Sequence, residues 1–446
     1  MRPPLVWKFI WKTEKEKIVF KVAVAGLGVV GSGVVKLLLE QKDLLAQRCN
    51  REISLVAVAD VNEDRAKALN LPEDVVFYKD AMEMAQKTDA DVFVELIGGA
   101  NGFALDFCHA ILEKSKNFVT ANKAMLAHHG NELGALAEEK GVFFGYEAAV
   151  AGGIPIIKSL REGFAGNTVT EIYGILNGTC NYILTMMRET GRSFEDVLAE
   201  AQELGYAEKP DPSLDVDGLD TAHKMCILGS LAFGMPMNLN TMSVEGIRRI
   251  SALDIAYADE LGYRIKLLGI GRASEDGVSL NVYPCMVDKN ASIAPVDGVF
   301  NAVITEGNFV GHSMLVGRGA GEKPTASAVV SDIVDAAMHR GLPLLTKPFK
   351  DVLPVPVVPL SEREGAYYLR FDVCDRAGVI AEIAKVLGEE GVSIESMIQR
   401  GKTENGVPLI MTLHTAKESA VMNALDKIEL LDSVLSKPCM IRIERF

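Results

Sequence analysis

Two lysines set close to carboxylates are the side chains of this chain best suited to moving a proton. In AEKPDPSLDVDGLDTAHK, Glu208, Asp211, Asp215, Asp217 and Asp220 precede Lys224. Helical spacing over this segment puts Asp217, Asp220 and Lys224 on one face, since residues three and four apart are neighbours on a helix. Nearby negative charge favours the protonated form of a lysine. Such an amine can donate to an aldehyde oxygen as hydride reaches the carbon, and can take the proton back in the reverse direction. The remaining carboxylates could hold the ammonium of an amino-acid substrate. A solvated acidic turn is the competing reading. A calcium loop fails on register: with Asp215-x-Asp217-Gly218 as its middle, the bidentate glutamate needed at the twelfth position is replaced by Lys224. Lys123, in TANK, follows the apolar run Asn117 to Thr120, and ligands of open parallel sheets gather at the carboxyl ends of strands. Surface solvation is the alternative for it.

A second cluster points to a dinucleotide. Gly26, Gly28 and Gly31 form G-x-G-x-x-G directly after the run Lys21 to Ala25 and at the start of a helical segment, with Gly33 continuing the small-residue face. The first glycine permits the tight turn, the second lets backbone approach a pyrophosphate, and the third permits close packing, while free N–H groups of the helix face the phosphates. The next strand ends at Asp60, whose carboxylate could accept from both ribose hydroxyls and repel a 2′-phosphate. It lies 29 residues beyond Gly31, a loose spacing attributable to a long helix and loop through Gln41 to Arg51. Asp60 could instead cap a helix. Arg65 and Lys67 are near enough to pair with a 2′-phosphate, so NAD and NADP both stay open. GRGAGEKPTASAVVSDI, with Gly317, Gly319 and Gly321 before a helix, is either another close approach of backbone to a ligand or a plain loop-to-helix junction. Serine, histidine and cysteine form no nucleophile–base motif and no GxSxG occurs, which argues against hydrolase chemistry.

The hydropathy pattern supplies the scaffold for these residues. From Lys21 to about Val150, short apolar runs alternate with helical segments: KVAVAG, then Val29 to Leu45, then ISLVAVAD, with further strands at Asp91 to Ile97, Asn117 to Thr120 and Val142 to Tyr146. That alternation predicts a Rossmann-type, doubly wound parallel sheet over residues 21–151. Residues 152–323 read as an α+β domain, with helices at Thr179 to Glu189, Ser193 to Leu204 and Asp217 to Phe233 giving way to strands such as VSLNVY and VFNAVI. Residues 324–341 make one helix, with Pro324 in its first turn, that could return to the nucleotide domain. Five prolines from Pro343 to Pro359 make 342–364 a stiff, extended linker. Residues 365–446 read strand (Tyr367 to Val373), helix (Val379 to Glu389), strand (Ser393 to Gln399), strand (Val407 to Leu413), helix (Lys417 to Leu430) and strand (Met440 to Glu444), the ferredoxin-like βαββαβ order.

Bulk properties narrow the partners. The 446 residues are 48% hydrophobic and 24% charged, a balance typical of soluble globular proteins. A formal charge of -14 argues against nucleic acid, whose phosphates need concentrated Lys and Arg. Seven scattered cysteines without CxxC spacing argue against zinc and read as reduced core thiols. Residues 1–20 lack the cleavage site of a signal peptide and read as an N-terminal extension. No apolar stretch is long enough to cross a bilayer, so the expectation is a cytoplasmic protein with no membrane partner that acts on a small molecule.

The order of the motifs carries more than any one of them. AGLGVVGSGV, ELIGG at 95–99, TANK at 120–123, YEAAVAGGIPII at 146–157, GILNGTCNYIL at 174–184, the acidic segment through Lys224 and GRGAGEKPTASAVVSDI together resemble homoserine dehydrogenase across residues 20–341. The resemblance implies reversible NAD(P)H-dependent reduction of L-aspartate 4-semialdehyde to L-homoserine, in the branch leading to threonine, methionine and isoleucine. It makes residues 152–323 the substrate-binding and dimerisation domain. It implies that Lys224 donates and accepts the proton, that Asp220, Glu208, Asp215 and Thr179 hold the substrate beside it, and that Lys123 lies between substrate and nicotinamide. It adds Val29, Val30, Gly98, Gly99, Lys123, Gly205 and Gly321 to Gly26, Gly28, Gly31 and Asp60 as cofactor contacts. It also puts a monovalent cation, Na+ or K+, on backbone oxygens of Glu147, Val150, Gly152 and Ile154, which suit a hard ion. The segment EKPDP after Glu208 is one residue longer than the family's pattern, which bears on where Glu208 stands relative to Lys224.

The tail resembles an ACT domain, with Asp375, Gly378 and Val379 as the effector residues between its first strand and first helix. Such domains commonly pair and bind amino acids at their interface. The expectation is a homodimer or homotetramer regulated by an amino acid, threonine being the candidate, and deletion of residues 350–446 should leave activity while abolishing the response. Another amino-acid or semialdehyde dehydrogenase on this scaffold would share the glycine loop without needing the Asp220–Lys224 pair, and a non-catalytic sensor of NAD and amino acid would tolerate loss of Lys224.

Overall fold

The structure, a computed structural model, describes residues 19–341, 343–401 and 406–446. Most of the expected N-terminal extension, residues 1–18, lies outside the described residues. The first sheet has six parallel strands, β1 (Phe20–Ala25), β2 (Ile53–Ala59), β3 (Val76–Tyr78), β4 (Val92–Glu95), β5 (Asn117–Thr120) and β6 (Phe144–Gly145), in the order β3-β2-β1-β4-β5-β6. Strands β1 and β4 are almost wholly buried, as their nearly continuous apolar sequences require when helices cover both faces. The order reverses between β1 and β4, and at such a switch point a crevice opens beyond the carboxyl ends of the strands. The helix Glu322–Ala337 packs on the helix Val29–Glu40, so closely that a Cβ on Gly33 would lie 2.7 Å from Glu322 Cγ and 3.2 Å from Ala326 Cβ. The single helix expected over Val29 to Leu45 is two, Val29–Glu40 and Lys42–Cys49, joined at Gln41.

The second sheet runs β12-β11-β7-β9-β10 through β7 (Val169–Ile175), β9 (Tyr263–Ser274), β10 (Gly277–Asp288), β11 (Phe300–Gly307) and β12 (Gly311–Arg318), with short β8 (Ser243–Val244) beside β10. It continues without a break into the tail. There β13 (Glu364–Val373), the helix Val379–Glu389, β14 (Ile394–Gln399), β15 (Val407–Lys417), the helix Glu418–Ile428 and β16 (Cys439–Glu444) make the βαββαβ unit, and β16 pairs parallel to β10 from Cys285 with Arg442 to Val287 with Glu444.

That junction changes the standing of the tail. One face of its sheet, with Tyr367, Leu369, Phe371 and Val373, closes over its own helices. The opposite face sends Tyr368, Ile410, Ile441 and Ile443 into the same apolar cluster as the body of the molecule. The proline-rich stretch is no free spacer: Leu344 and Leu345 are buried, the Phe349 ring sits against Gly134, and Val357 bridges to Val278. Strand pairing and a shared core thus tie to the body the residues 350–446 whose deletion is expected to leave activity. Among the described residues no helix is long and apolar enough to cross a membrane, and all seven cysteines are free.

Candidate active site

The crevice opens on a cavity of about 580 Å³ walled by Gly26, Gly28, Asp60, Arg65, Lys79, Leu96, Ile97 and Phe103. Gly26 has φ +93°, and a Cβ there would stand 2.5 Å from the Leu96 carbonyl oxygen; one on Gly31 would stand 1.8 Å from that of Gly26. At Gly28 nothing lies within 4 Å of the Cβ position, so the backbone is open to a ligand. The helix that follows, beginning at Val29 and Val30, has no acid in its first turn and no side-chain cap, which leaves its N–H groups and positive dipole end free for phosphates. The residues present fit a dinucleotide.

Asp60 is turned into the loop. Its Oδ2 accepts from the Leu27 N–H at 2.7 Å and its Oδ1 from the Asn62 N–H at 2.8 Å. Burial would raise its carboxyl, but these N–H groups and Arg65, at 3.3 Å, outweigh that and hold it below the usual range. The helix-cap alternative is not realised, because Asn62 caps the helix Glu63–Lys67. Lys67 runs to Glu63 at 3.1 Å; Lys79, just beyond β3, also lies 3.6 Å from Glu63 and lines the cavity with Arg65. Sequence reasoning missed Lys79 because it arrives from another strand.

Strand β5 leads to Lys123 through a locked corner. Glu95, fully buried at the end of β4, accepts from the N–H groups of Ile97 and Gly98 and from Thr120 Oγ1 at 2.6 Å. Asn122 caps the helix Lys123–Lys140 and donates through Nδ2 to the Gly99 carbonyl at 2.8 Å. Gly98 and Gly99 take φ +89° and +94°, which other residues rarely adopt. The corner fixes ELIGG against TANK.

The helix Leu219–Phe233 packs against Lys123–Lys140 and completes the site. Asp220 Oδ1 lies 3.1 Å from Lys123 Nζ, and its Oδ2 lies 2.7 Å from Lys224 Nζ. Lys224 also donates to the Leu176 carbonyl at 2.7 Å. An ammonium has three N–H donors, so one remains for a ligand. Asn177, missed in the sequence although it stands in a quoted motif, caps the helix Gly178–Thr190 and donates to Asp215 Oδ1 at 2.7 Å and Asp220 Oδ2 at 2.9 Å. Burial acts to raise the Asp220 carboxyl, but Lys224 and Lys123 overcome it and hold the group far below the ordinary carboxylate range. Asp215 goes the other way: burial raises it against the Asn177 hydrogen bond, with Asp220 and Glu208 adding like charge.

Some expected residues fall elsewhere. Asp217 is not on the face with Asp220 and Lys224, because Gly218 (φ +85°) turns the chain before the helix begins; Asp217 points out to Arg248 at 2.5 Å. Thr179 Oγ1 is engaged with the Tyr206 carbonyl at 2.6 Å, and Glu208 is exposed. Gly205 (φ +76°) lies in an exposed turn after the helix Phe194–Glu203, and Gly321 (φ +118°) starts the helix Glu322–Ala337; neither is in the wall of the dinucleotide cavity. His223, one residue before Lys224, was not singled out; it packs on His128 with ring centroids 5.6 Å apart and has no partner for Nδ1.

The turn after β6 is buried and tightly held. Glu147 accepts from the N–H groups of Ile157 and Lys158, both at 2.9 Å, and burial with the nearby Asp332 pushes its carboxyl up to about 7. Ala151 and Gly152 take positive φ, and a Cβ on Gly152 would stand 2.7 Å from the Gly319 carbonyl oxygen. The Ile154 carbonyl accepts from the Ile156 N–H, while those of Val150 and Gly152 meet no donor among the described residues. In the tail, Gly378 (φ +96°) precedes the helix that begins at buried Val379, three residues after Asp375 and Arg376 open the loop.

Residues 26–147 match the family model for the homoserine dehydrogenase NAD-binding domain, residues 155–334 that for homoserine dehydrogenase, and residues 367–430 that for the ACT domain. A homoserine dehydrogenase from Neisseria gonorrhoeae is 44% identical over 431 residues, covering 95% of this chain and 98% of its own. The crystal structure of a homoserine dehydrogenase from Thiobacillus denitrificans superposes with a TM-score of 0.89 at 42% identity, over 96% of this chain and 98% of the other. A hyperthermophilic archaeal homoserine dehydrogenase in complex with NADPH superposes with a TM-score of 0.62 at 25% identity, over 73% of this chain and the whole of its own.

Proposed function

This chain belongs to the homoserine dehydrogenase family, and we propose that Lys224 is the group that passes a proton to and from the substrate oxygen. The reaction is reversible NAD(P)H-dependent reduction of L-aspartate 4-semialdehyde to L-homoserine. A bound nicotinamide dinucleotide supplies the hydride. Proton movement, orientation and charge balance fall to side chains of this protein. In reduction, the third N–H of Lys224 donates to the aldehyde oxygen; in oxidation the amine takes the hydroxyl proton. Asp220 and the Leu176 carbonyl hold that amine in place. Lys123 shares Asp220 and follows Asn122, which holds the Gly99 carbonyl; that position suits it to lie between substrate and nicotinamide. Asp215, with Glu208 near enough to add like charge to it, would receive the substrate ammonium, while Thr179 holds the Tyr206 carbonyl two residues before Glu208. The observation that carries this reading is one buried carboxylate bridging two lysines.

Arg65 and Lys79 line the cavity beside Asp60 and would meet a 2′-phosphate, so NADP is the preferred partner. The NADPH of the archaeal relative accords with this. The carbonyls of Glu147, Val150, Gly152 and Ile154 would seat Na+ or K+, supported by the two that meet no donor. The ACT tail fits a regulatory role, with threonine the first effector to try at Asp375, Gly378 and Val379, in a cytoplasmic homodimer or homotetramer.

The test is absorbance at the reduced-nicotinamide band with homoserine and either cofactor. Higher kcat/KM with NADP is expected, and Lys79→Ala should cut it by about tenfold while sparing NAD, the usual scale for losing one charge-assisted hydrogen bond. A native preference for NAD would sink the 2′-phosphate assignment, and a Lys224→Ala enzyme with full turnover would sink the proton role.

A further inference from the structure

We propose that the junction between the second sheet and the ACT tail holds a binding site for a free α-amino acid, distinct from the loop at Asp375–Val379. A cavity of about 460 Å³ lies there, within the range of small-molecule pockets. Strand β10 forms its floor through Ser279, Asn281 and Tyr283, and the tail closes it through Glu364, Thr415 and Arg445. One wall is rigid and charge-balanced: Glu444 gathers Arg272 at 2.8 Å, Arg363 at 2.8 Å and the Tyr283 hydroxyl at 2.9 Å, and Arg272 reaches on to Glu171 at 2.5 Å.

What remains in that cavity is unpaired. Asn281 is only 7% exposed, yet among the described residues its amide has no hydrogen-bond partner. Its amide faces the cavity and is open to a ligand there. Arg445 and Glu364 also line the space without an ion-pair partner among the described residues, and Arg363 Nη1 is buried without an acceptor. One free guanidinium, one free carboxylate and one free amide are complementary to a zwitterion with a carboxylate, an ammonium and a polar backbone-like face. A simple anion would leave Glu364 opposed, and a simple cation would leave Arg445 opposed.

The position gives such a ligand a route to turnover. Alternate residues of a strand face opposite ways. Ser279, Asn281 and Tyr283 face the cavity, while Leu280 and Val282 face the other way, against Gly229 and Gly218 of the segment that carries Asp220 and Lys224. The ligand would thus bear on the strand that backs the catalytic helix. Its consequence for turnover rests on the activity proposed above; its binding does not.

The test uses the full chain and each free L-α-amino acid in turn, read by titration calorimetry and by melting temperature. The matching amine and carboxylic acid, each lacking one charge, serve as controls. At least one amino acid is expected to bind while its single-charge analogues do not. Arg445→Ala and Asn281→Leu should each weaken that binding by about tenfold or more, the scale of a lost charge-assisted or buried hydrogen bond. Asp375→Ala should leave it in place. Arg445 is exposed and remote from the proton-transfer groups, so Arg445→Ala should keep homoserine turnover without amino acid unchanged, which separates failure of this site from failure of the activity. Binding to the Asp375→Ala chain that survives both Arg445→Ala and Asn281→Leu, binding abolished by Asp375→Ala alone, or no binding by any amino acid would overturn the proposal.

Discussion

Asp220 meets a different cation on each oxygen, and that arrangement decides what its loss would do. Without the carboxylate, Lys224 keeps only the Leu176 carbonyl, and two ammonium groups face each other across the gap. Removing one partner of a buried ion pair costs on the order of 3 kcal/mol, toward the lower end here because Lys123 is about a third exposed. Asp220→Asn is therefore expected to lower both stability and turnover. Lys224→Met should lower turnover by about 10²–10⁴-fold, the worth of a positioned general acid, with little change in NADP affinity. The pH dependence separates the two effects. Because the folded-state pKa of Asp220 is depressed, the unfolded chain binds the proton more readily, so this stabilisation is present above the unfolded value of about 3.9 and lost as pH falls below it. Denaturant midpoints of wild type and Asp220→Asn should differ at neutral pH and converge on acidification below about pH 4. A gap that stays constant through that range would mean the carboxylate's charge is not what stabilises the helix.

Elements, rather than single residues, determine how much of this site could be read beforehand. The glycine loop was legible because strand, turn and helix follow one another in sequence, and Asp220 with Lys224 was legible because four residues along a helix always share a face. Asp217 was misplaced because Asp-Gly reads as part of the helix, whereas Gly218 at positive φ turns the chain just before it. Asn177 and Glu95 were quoted within motifs yet unrecognised, since their partners lie 38 and 43 residues away in one case and 25 in the other. No local periodicity encodes such pairings. The turn at Tyr146 to Ile154 shows the same limit: only the fold reveals that Gly152 lies against the Gly319 carbonyl. If that turn seats a cation, replacing K+ or Na+ by tetramethylammonium at equal ionic strength should lower the melting temperature by roughly 2–8 °C, as loss of a ligand at about a hundred times its Kd implies. Gly152→Ala should abolish that difference, because the added methyl displaces the backbone that supplies the oxygens. A melting temperature indifferent to the cation would remove the ion from the turn.

At the scale of the whole molecule, the tail is a regulatory-type domain built into the body. Its strands are legible from one apolar face, Tyr367, Leu369, Phe371 and Val373, a pattern that says nothing of what the opposite face meets. Tyr368, Ile410, Ile441 and Ile443 enter the core of the body. At roughly 1.5–3 kcal/mol for each fully buried large side chain, the four represent on the order of 10 kcal/mol, comparable to the whole stability of a domain. Charges are committed across the same boundary. Fully buried Asp254 is held by Arg370 at 2.7 Å and by the Tyr368 hydroxyl at 3.0 Å, and Glu245, next to the turn at Val216, is held by Arg442 at 2.7 Å. Cutting the chain before β13 would strip β16 from β10, uncover this apolar face and leave Asp254 buried without its cation. The truncated protein is expected to aggregate, or to melt far below the full chain and turn over homoserine poorly, rather than to persist as an active enzyme deaf to its effector. Arg370→Ala in the full chain should show the same weakness in milder form, losing about 3–5 kcal/mol because it orphans a buried carboxylate. A chain ending near Phe349 that stays monodisperse, melts cooperatively and keeps wild-type kcat/KM would show that the shared sheet and core are dispensable.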